Sequence, residues 1–177
     1  MFTTTVITGR LLLTAVHISC KFIWKQNNSG VLARVSSLFG RRGFNIYSLT
    51  VSPTVDEKFS RITIVTVGDA YTLDQILKQM RKLEECVEVV HIKEDEAFCR
   101  ELALIKIAGD ANVQESIREL CDVYQADVVN AGEHSIIVRI SGVPSKLDTF
   151  LSIMQNFDVV ESSRTGITAV HWDKDKD

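Results

Sequence analysis

The feature that most restricts the fold of this chain is a repeated order of elements. From Val16 the residues alternate, with Val16, Ile18, Cys20, Phe22 and Trp24 on one face of a strand and His17, Ser19, Lys21 and Lys25 on the other. Val31, Leu32, Val35, Leu38 and Phe39 then recur at helical spacing, and Gly43, following the basic pair Arg41 and Arg42, is a helix stop. "FNIYSLTV" and the β-branched "RITIVTVG" read as strands joined by the turn-rich "SPTVDEKFS". Leu73, Ile76, Leu77, Met80 and Leu83 mark a second helix, and "VEVVHI" a fourth strand.

The order then recurs. "LALIKIAG" reads as a strand, and Val113, Ile117, Leu120 and Tyr124 as a helix. "ADVVNAG" and "HSIIVRIS" form a hairpin around Gly132, Pro144 opens a helix carrying Leu147, Phe150, Leu151 and Met154, and "DVVESS" closes the unit. Two βαββαβ units in series make an α+β protein of two tandem ferredoxin-like domains, each a sheet with two helices on one face. The charged stretch "KEDEAFCR" sets the boundary. The expected divisions are an extension over residues 1–15, a first domain over 16–94, a linker over 95–100, a second domain over 101–170 and a disordered tail over 171–177. The other face of each sheet must be wet or covered. Phe22, Trp24, Ile46, Ile64, Val65 and Val67 supply apolar strand surface, some of which a partner is expected to cover.

Composition narrows the function classes. No Asp or Glu precedes Asp56, whereas Arg10, Lys21, Lys25, Arg34, Arg41 and Arg42 fall in that stretch, within a chain of net charge -3. Such a start suits an anionic ligand, an acidic partner, a targeting peptide or unevenly distributed surface charge. The apolar run "LLLTAV" is too short to span a membrane. Residues 1–16 are compatible with a transit peptide, hence an organelle, and equally with a frayed extension of the first strand. Cys20, Cys86, Cys99 and Cys121 are scattered without a CxxC pair, which argues against zinc and for reduced thiols in a cytoplasmic protein.

Catalytic machinery is not legible. The chain contains no nucleophile elbow, phosphate loop or metal-ligand pair, and His17, His91, His134 and His171 are isolated from one another. RNA-binding sheets share the βαββαβ order but need stacking aromatics, and "SRITIVTV" has none. No helix-turn-helix segment supports DNA binding. The informative stretch is "QNNSG" before the first helix. Ser29 or Asn28 can cap the helix, Asn27 offers both a donor and an acceptor, and Gly30 leaves the backbone approachable. Free helix amides favour an anion. These groups suit the carboxylate and ammonium of a free amino acid, with Val31 and Leu32 lining an apolar pocket; they equally describe an ordinary capped helix.

The segment "NNSGVLARVSSLFGRRGFNIYSLTVSPT", followed by "SRITIVTVGD", resembles the regulatory small subunit of acetohydroxyacid synthase, also called acetolactate synthase. "ALIKI" and "RTGITAV" fit the same family, so the resemblance runs from Cys20 to Val170. It implies an ACT domain followed by a second ferredoxin-like domain, a homodimer through the ACT domains, and binding of valine or another branched-chain amino acid at the dimer interface. It also implies that the chain binds the catalytic large subunit, activates it and confers feedback inhibition. Thiamine diphosphate, magnesium and FAD reside on that catalytic subunit, leaving this chain with no cofactor of its own. Carried over by position, the effector site comprises Asn27, Ser29, Gly30, Val31 and Leu32 of one protomer with Asn45 and Ile46 of the other. Lys25 and Gln26 depart from the family's usual aliphatic and acidic residues. A free-standing ACT-type amino-acid sensor regulating a different protein is the alternative, and a small enzyme with an unrecognised site a third.

Overall fold

The computed structural model describes residues 30–92 and 96–172 in full and the backbone of residues 5–6 and 13–23. The chain divides into two units, residues 1–98 with 169–177 and residues 99–168.

In the first unit, β1 (Thr5–Val6) and β2 (Leu13–Ile23) precede α1 (Val31–Arg41), β3 (Ile46–Pro53), β4 (Phe59–Gly68), α2 (Ala70–Met80) and β5 (Cys86–Ile92). β2 lies between β4 and β5, and β3 flanks β4 at the edge, with every pair antiparallel. This is the strand order that a split βαβ sandwich requires. The first strand begins at Leu13 rather than Val16, and Thr5–Val6 pairs with its start, so part of the expected extension is sheet. Thr and β-branched residues there supply ladder backbone without an alternating pattern that sequence could phase.

Val35, Leu38 and Phe39 of α1, Ile76 and Met80 of α2, and Ile62, Ile64 and Val89 of the sheet form one buried core. Each fully buried aliphatic or Phe side chain contributes roughly 1.5–3 kcal/mol. Of the six residues named as apolar strand surface, Ile64 is buried in this core and Ile46 packs against it. The run "ITIVTV" is apolar or β-branched throughout, so its phase is not readable from sequence; in the fold Ile62, Ile64 and Thr66 are buried while Val65 and Val67 are half-buried.

The second unit repeats the plan with β6 (Ala97–Ala108), α3 (Ala111–Tyr124), β7 (Asp127–Ala131), β8 (Ser135–Gly142), α4 (Pro144–Met154) and β9 (Asp158–Arg164). β6 is central, between β8 and β9, with β7 beyond β8. Ala103, Ile105, Ile107, Ile117, Cys121, Ile136, Val138, Ile140, Leu147, Phe150 and Met154 make its core. From Ala97 the expected linker is strand: Ala97, Cys99 and Glu101 are buried and Phe98 and Arg100 exposed. The charges in this stretch hid an alternation that continues straight into "LALIKIA". A further strand, β10 (Thr168–His171), pairs with β6; only its last residue falls in the expected tail. Within the first unit, the Trp172 N–H donates to the Glu96 carbonyl at 3.1 Å, and the Trp172 ring meets Phe98 edge-on with centroids 5.4 Å apart. Residues 173–177 lie outside the described residues.

Inside the second unit Arg164 bridges two carboxylates, Glu101, whose side chain is 5% exposed, and Asp148, at 2.6 Å. Burial alone would lower the Arg164 pKa, but hydrogen bonds and charge from Asp148 and Glu101 push it up, so the guanidinium stays charged.

Candidate functional site

Gly30 occupies the position before the first residue of α1 with φ -91° and ψ -9°, and its carbonyl accepts the Arg34 N–H at 2.9 Å. Having no side chain, it leaves the first helix amides uncapped from its own position. The expected participants Asn27 and Ser29, and the alternative cap Asn28, lie outside the described residues. Val31 is half-buried and packs on the core of the first unit, so its side chain is committed inward. Leu32, one position on, is 41% exposed and is the apolar group of this turn that faces outward.

The space over Gly30 distinguishes this helix entrance from the other three. A Cβ at Gly68, ahead of α2, would stand 2.8 Å from Thr72; one at Gly109, ahead of α3, 2.4 Å from Val113; one at Gly142, ahead of α4, 2.8 Å from Lys146. In each case the glycine lets the strand end press against a side chain of the following helix. At two of them an aspartate also fills the helix end. Asp69 accepts the Thr72 N–H at 2.7 Å, and Asp110 accepts the Asn112 and Val113 N–H groups at 3.1 Å. The Thr72 hydrogen bonds lower the Asp69 pKa. A Cβ at Gly30 would meet nothing within 4 Å among the described residues. Neither the backbone angle nor close packing among the described residues demands glycine there.

The second half of the candidate site is set by the end of α1. Gly43 adopts φ +69°, a left-handed conformation that glycine takes without steric cost. Its N–H donates to the Gly40 carbonyl at 3.2 Å, and the Phe44 N–H returns to the Phe39 carbonyl at 3.0 Å. With the Phe39 and Phe44 rings packed edge-on at 6.1 Å, this is a complete Schellman stop. It delivers Asn45 to the start of β3 in a fixed position, and the buried Thr66 hydroxyl donates to the Asn45 carbonyl at 2.7 Å. The Asn45 side chain is exposed, whereas Ile46 packs on the core.

Two contributors were missed in the sequence. Ile46 pairs with Thr66 and Ser48 with Val65, so Tyr47 is an extra residue in a β-bulge; it is 64% exposed beside Asn45. The available signal was the step of three between Ile46 and Leu49, where a regular strand would keep two. Thr66, the anchor of the Asn45 backbone, gave no signal.

α1 has 11 residues, so Gly30 and Asn45 flank a rod about 16 Å long. One chain therefore does not bring the two halves together around a ligand the size of an amino acid. Among the described residues no group of His, Cys, Asp and Glu is arranged to hold a metal ion, and no helix is long and apolar enough to cross a membrane. Burial, ahead of the charge on Asp122, raises the pKa of the Cys121 thiol.

Comparison with known proteins follows this architecture domain by domain. Residues 23–88 match the AHAS small subunit-like ACT domain, and residues 100–172 match the small subunit of acetolactate synthase. The chain is 40% identical over 145 residues to the acetolactate synthase small subunit of Mycolicibacterium smegmatis, covering 82% of this chain and 85% of that one. It is 39% identical over 146 residues to the corresponding protein of Haemophilus influenzae, covering 82% and 90%. The crystal structure of the acetolactate synthase small subunit from Thermotoga maritima superposes with a TM-score of 0.80 at 35% identity, over 90% of this chain and 99% of that one. With both domains, their order and their fold in agreement, the chain belongs to the acetolactate synthase small-subunit family.

Proposed function

We propose that this chain is a non-catalytic regulatory subunit that binds the catalytic large subunit of acetohydroxyacid synthase, raises its activity and imposes feedback inhibition by valine or another branched-chain amino acid. The observation that carries the reading is the open entrance of α1. The glycines ahead of α2, α3 and α4 are each closed over by a side chain of the following helix, whereas among the described residues Gly30, itself the N-cap of α1, has no neighbour within 4 Å of a Cβ position and no side-chain cap. A helix end with free amides and room above its backbone suits a carboxylate.

On this reading the first unit is an ACT domain that pairs with a second copy. Asn27, Ser29, Gly30, Val31 and Leu32 of one protomer face Asn45 and Ile46 of its partner. The separation of Gly30 and Asn45 along α1 supports a site shared between two chains. The amides hold the carboxylate, Asn45 supplies polar groups from across the interface, and Leu32 lies against the aliphatic side chain. Binding then alters how the protomers pack, and a coupling of about 1–3 kcal/mol suffices to change the partner's activity severalfold or more. Thiamine diphosphate, magnesium and FAD belong to the catalytic partner, and the complex works in the cytoplasm, where the cysteines stay reduced.

The test is to mix the purified chain with its catalytic subunit and follow acetolactate formation with and without valine, leucine and isoleucine. Activity should rise on mixing and fall when the effector is added. Calorimetry on the chain alone should detect the effector; no heat at millimolar ligand would overturn the site. Effector binding without any influence on the catalytic subunit would identify a free-standing sensor of some other protein.

A further inference from the structure

The far end of α1 carries a second feature. Arg41 and Arg42 at the end of the helix and Lys82 just past α2 line a bowl of about 600 Å³ with Leu38, Gln79 and Leu83. Among the described residues no carboxylate lines it. Among the described residues none of the three cations forms an ion pair, although Arg41 Nε donates to the Ser37 carbonyl at 3.3 Å. Two acidic groups of the same unit are already engaged, Glu85 by Arg34 and Asp74 by Lys78. The helix dipole accounts for one cation in the last turn of α1. It does not account for Arg42 and Lys82, from two separate helix ends, meeting around one depression. The floor is apolar: Leu38 is buried and Leu83 packs against the core.

We propose that this bowl is the docking surface for an acidic segment of the catalytic subunit, a carboxylate-bearing stretch with a neighbouring apolar side chain that rests on Leu38 and Leu83. The inference rests on reading the chain as a regulatory subunit. A site for a small metabolite encloses its ligand with a few fixed, desolvated donors. Here all three cations are exposed, on flexible stems, around an open mouth. Guanidinium forks on such a rim recognise carboxylates displayed by another surface, and contribute register and association rate. The location fits the regulatory role, because the bowl and the Gly30 entrance are at opposite ends of the same helix.

The test uses the full chain and its catalytic subunit. Affinity is measured for the native chain, for Arg41→Glu/Arg42→Glu/Lys82→Glu, for the milder Arg41→Gln/Arg42→Gln/Lys82→Gln, and for Lys58→Glu as a charge control in the β3–β4 loop. At about 0.1 M salt the reversed variant should bind at least tenfold more weakly, with the gap closing toward about 1 M as screening shortens to a few ångströms. The neutral variant should lie between, and the control should match the native chain. Effector binding to each chain alone should be unchanged, which also verifies folding.

Equal affinity and equal salt dependence in native and reversed chains would overturn the docking surface while leaving the regulatory reading intact. A native chain that fails to bind the catalytic subunit at all would overturn both. Stabilisation of the native chain by inorganic tripolyphosphate, with subunit affinity indifferent to charge reversal, would replace the docking surface with a small-anion site.

Discussion

Replacing Gly30 with aspartate separates what the fold needs from what a ligand needs. The backbone angles are open to any residue, and the new Cβ has no neighbour within 4 Å among the described residues. The fold should therefore change by no more than about 0.5 kcal/mol, a midpoint shift of about 2 °C or less. The new carboxylate adds a negative charge at the N-terminal end of α1, beside the position an incoming carboxylate would take. Two carboxylates about 5 Å apart at an effective dielectric of about 20 repel by roughly 3 kcal/mol. If the ligand's ammonium offsets half of that, affinity still falls about tenfold. Gly30→Ala, which adds bulk without charge, should lose less. The assay is calorimetric titration of valine beside a thermal melt of each variant. Unchanged valine affinity in Gly30→Asp would refute the placement of the site. Loss of affinity together with a large drop in melting temperature would refute the claim that the fold does not require this glycine.

Gly43→Ala should cost about 1–2 kcal/mol in urea unfolding, because φ is +69° while the added methyl meets nothing within 4 Å; the cost is backbone strain alone, and Gly43→Asn should cost less. Arg164→Met strands the buried Glu101 carboxylate and should cost about 2–4 kcal/mol, the exposed third of the arginine tempering the full buried-pair penalty. Glu101→Leu/Arg164→Met should recover most of that loss in denaturant melts, whereas Asp148→Asn, at an exposed partner, should cost under about 1 kcal/mol. The Asp69 pKa is lowered on folding, so its contribution is complete above the unfolded value and is lost as pH falls through the folded one. Asp69→Asn should therefore show a flatter decline in stability than the native chain on acidification below about pH 4, followed by circular dichroism.

Much of this architecture was legible in the sequence because both units announce themselves by period. The helical stripe Val35, Leu38 and Phe39 and the stop at Gly43 lie where the spacing put them. Strand phase was harder. "ITIVTV" offers apolar or β-branched side chains to both faces, and only the packing of helices shows that Ile64 lies inside while Val65 does not. Charge also misled: the charged stretch up to Arg100 looked like linker, yet β6 begins at Ala97, and Glu101 within it is buried where Arg164, 63 residues later, meets it. At the candidate site, the glycine before α1 was visible as a residue type. Its meaning was not, because four helix entrances carry glycines and only the geometry shows that, among the described residues, three are crowded by a side chain of the following helix and Gly30 is not.

α1 has a mechanical consequence. It is a single uninterrupted rod, locked at its far end by the turn at Gly43 and the edge-on packing of Phe39 against Phe44. In a pair built as proposed, one tip of that rod touches the effector bound on its own side, while the residue just past the other tip reaches toward the effector on the opposite side. A push along the axis at one pocket is thereby transmitted to the second with little loss, so the first molecule bound sets the terms on which the next is received.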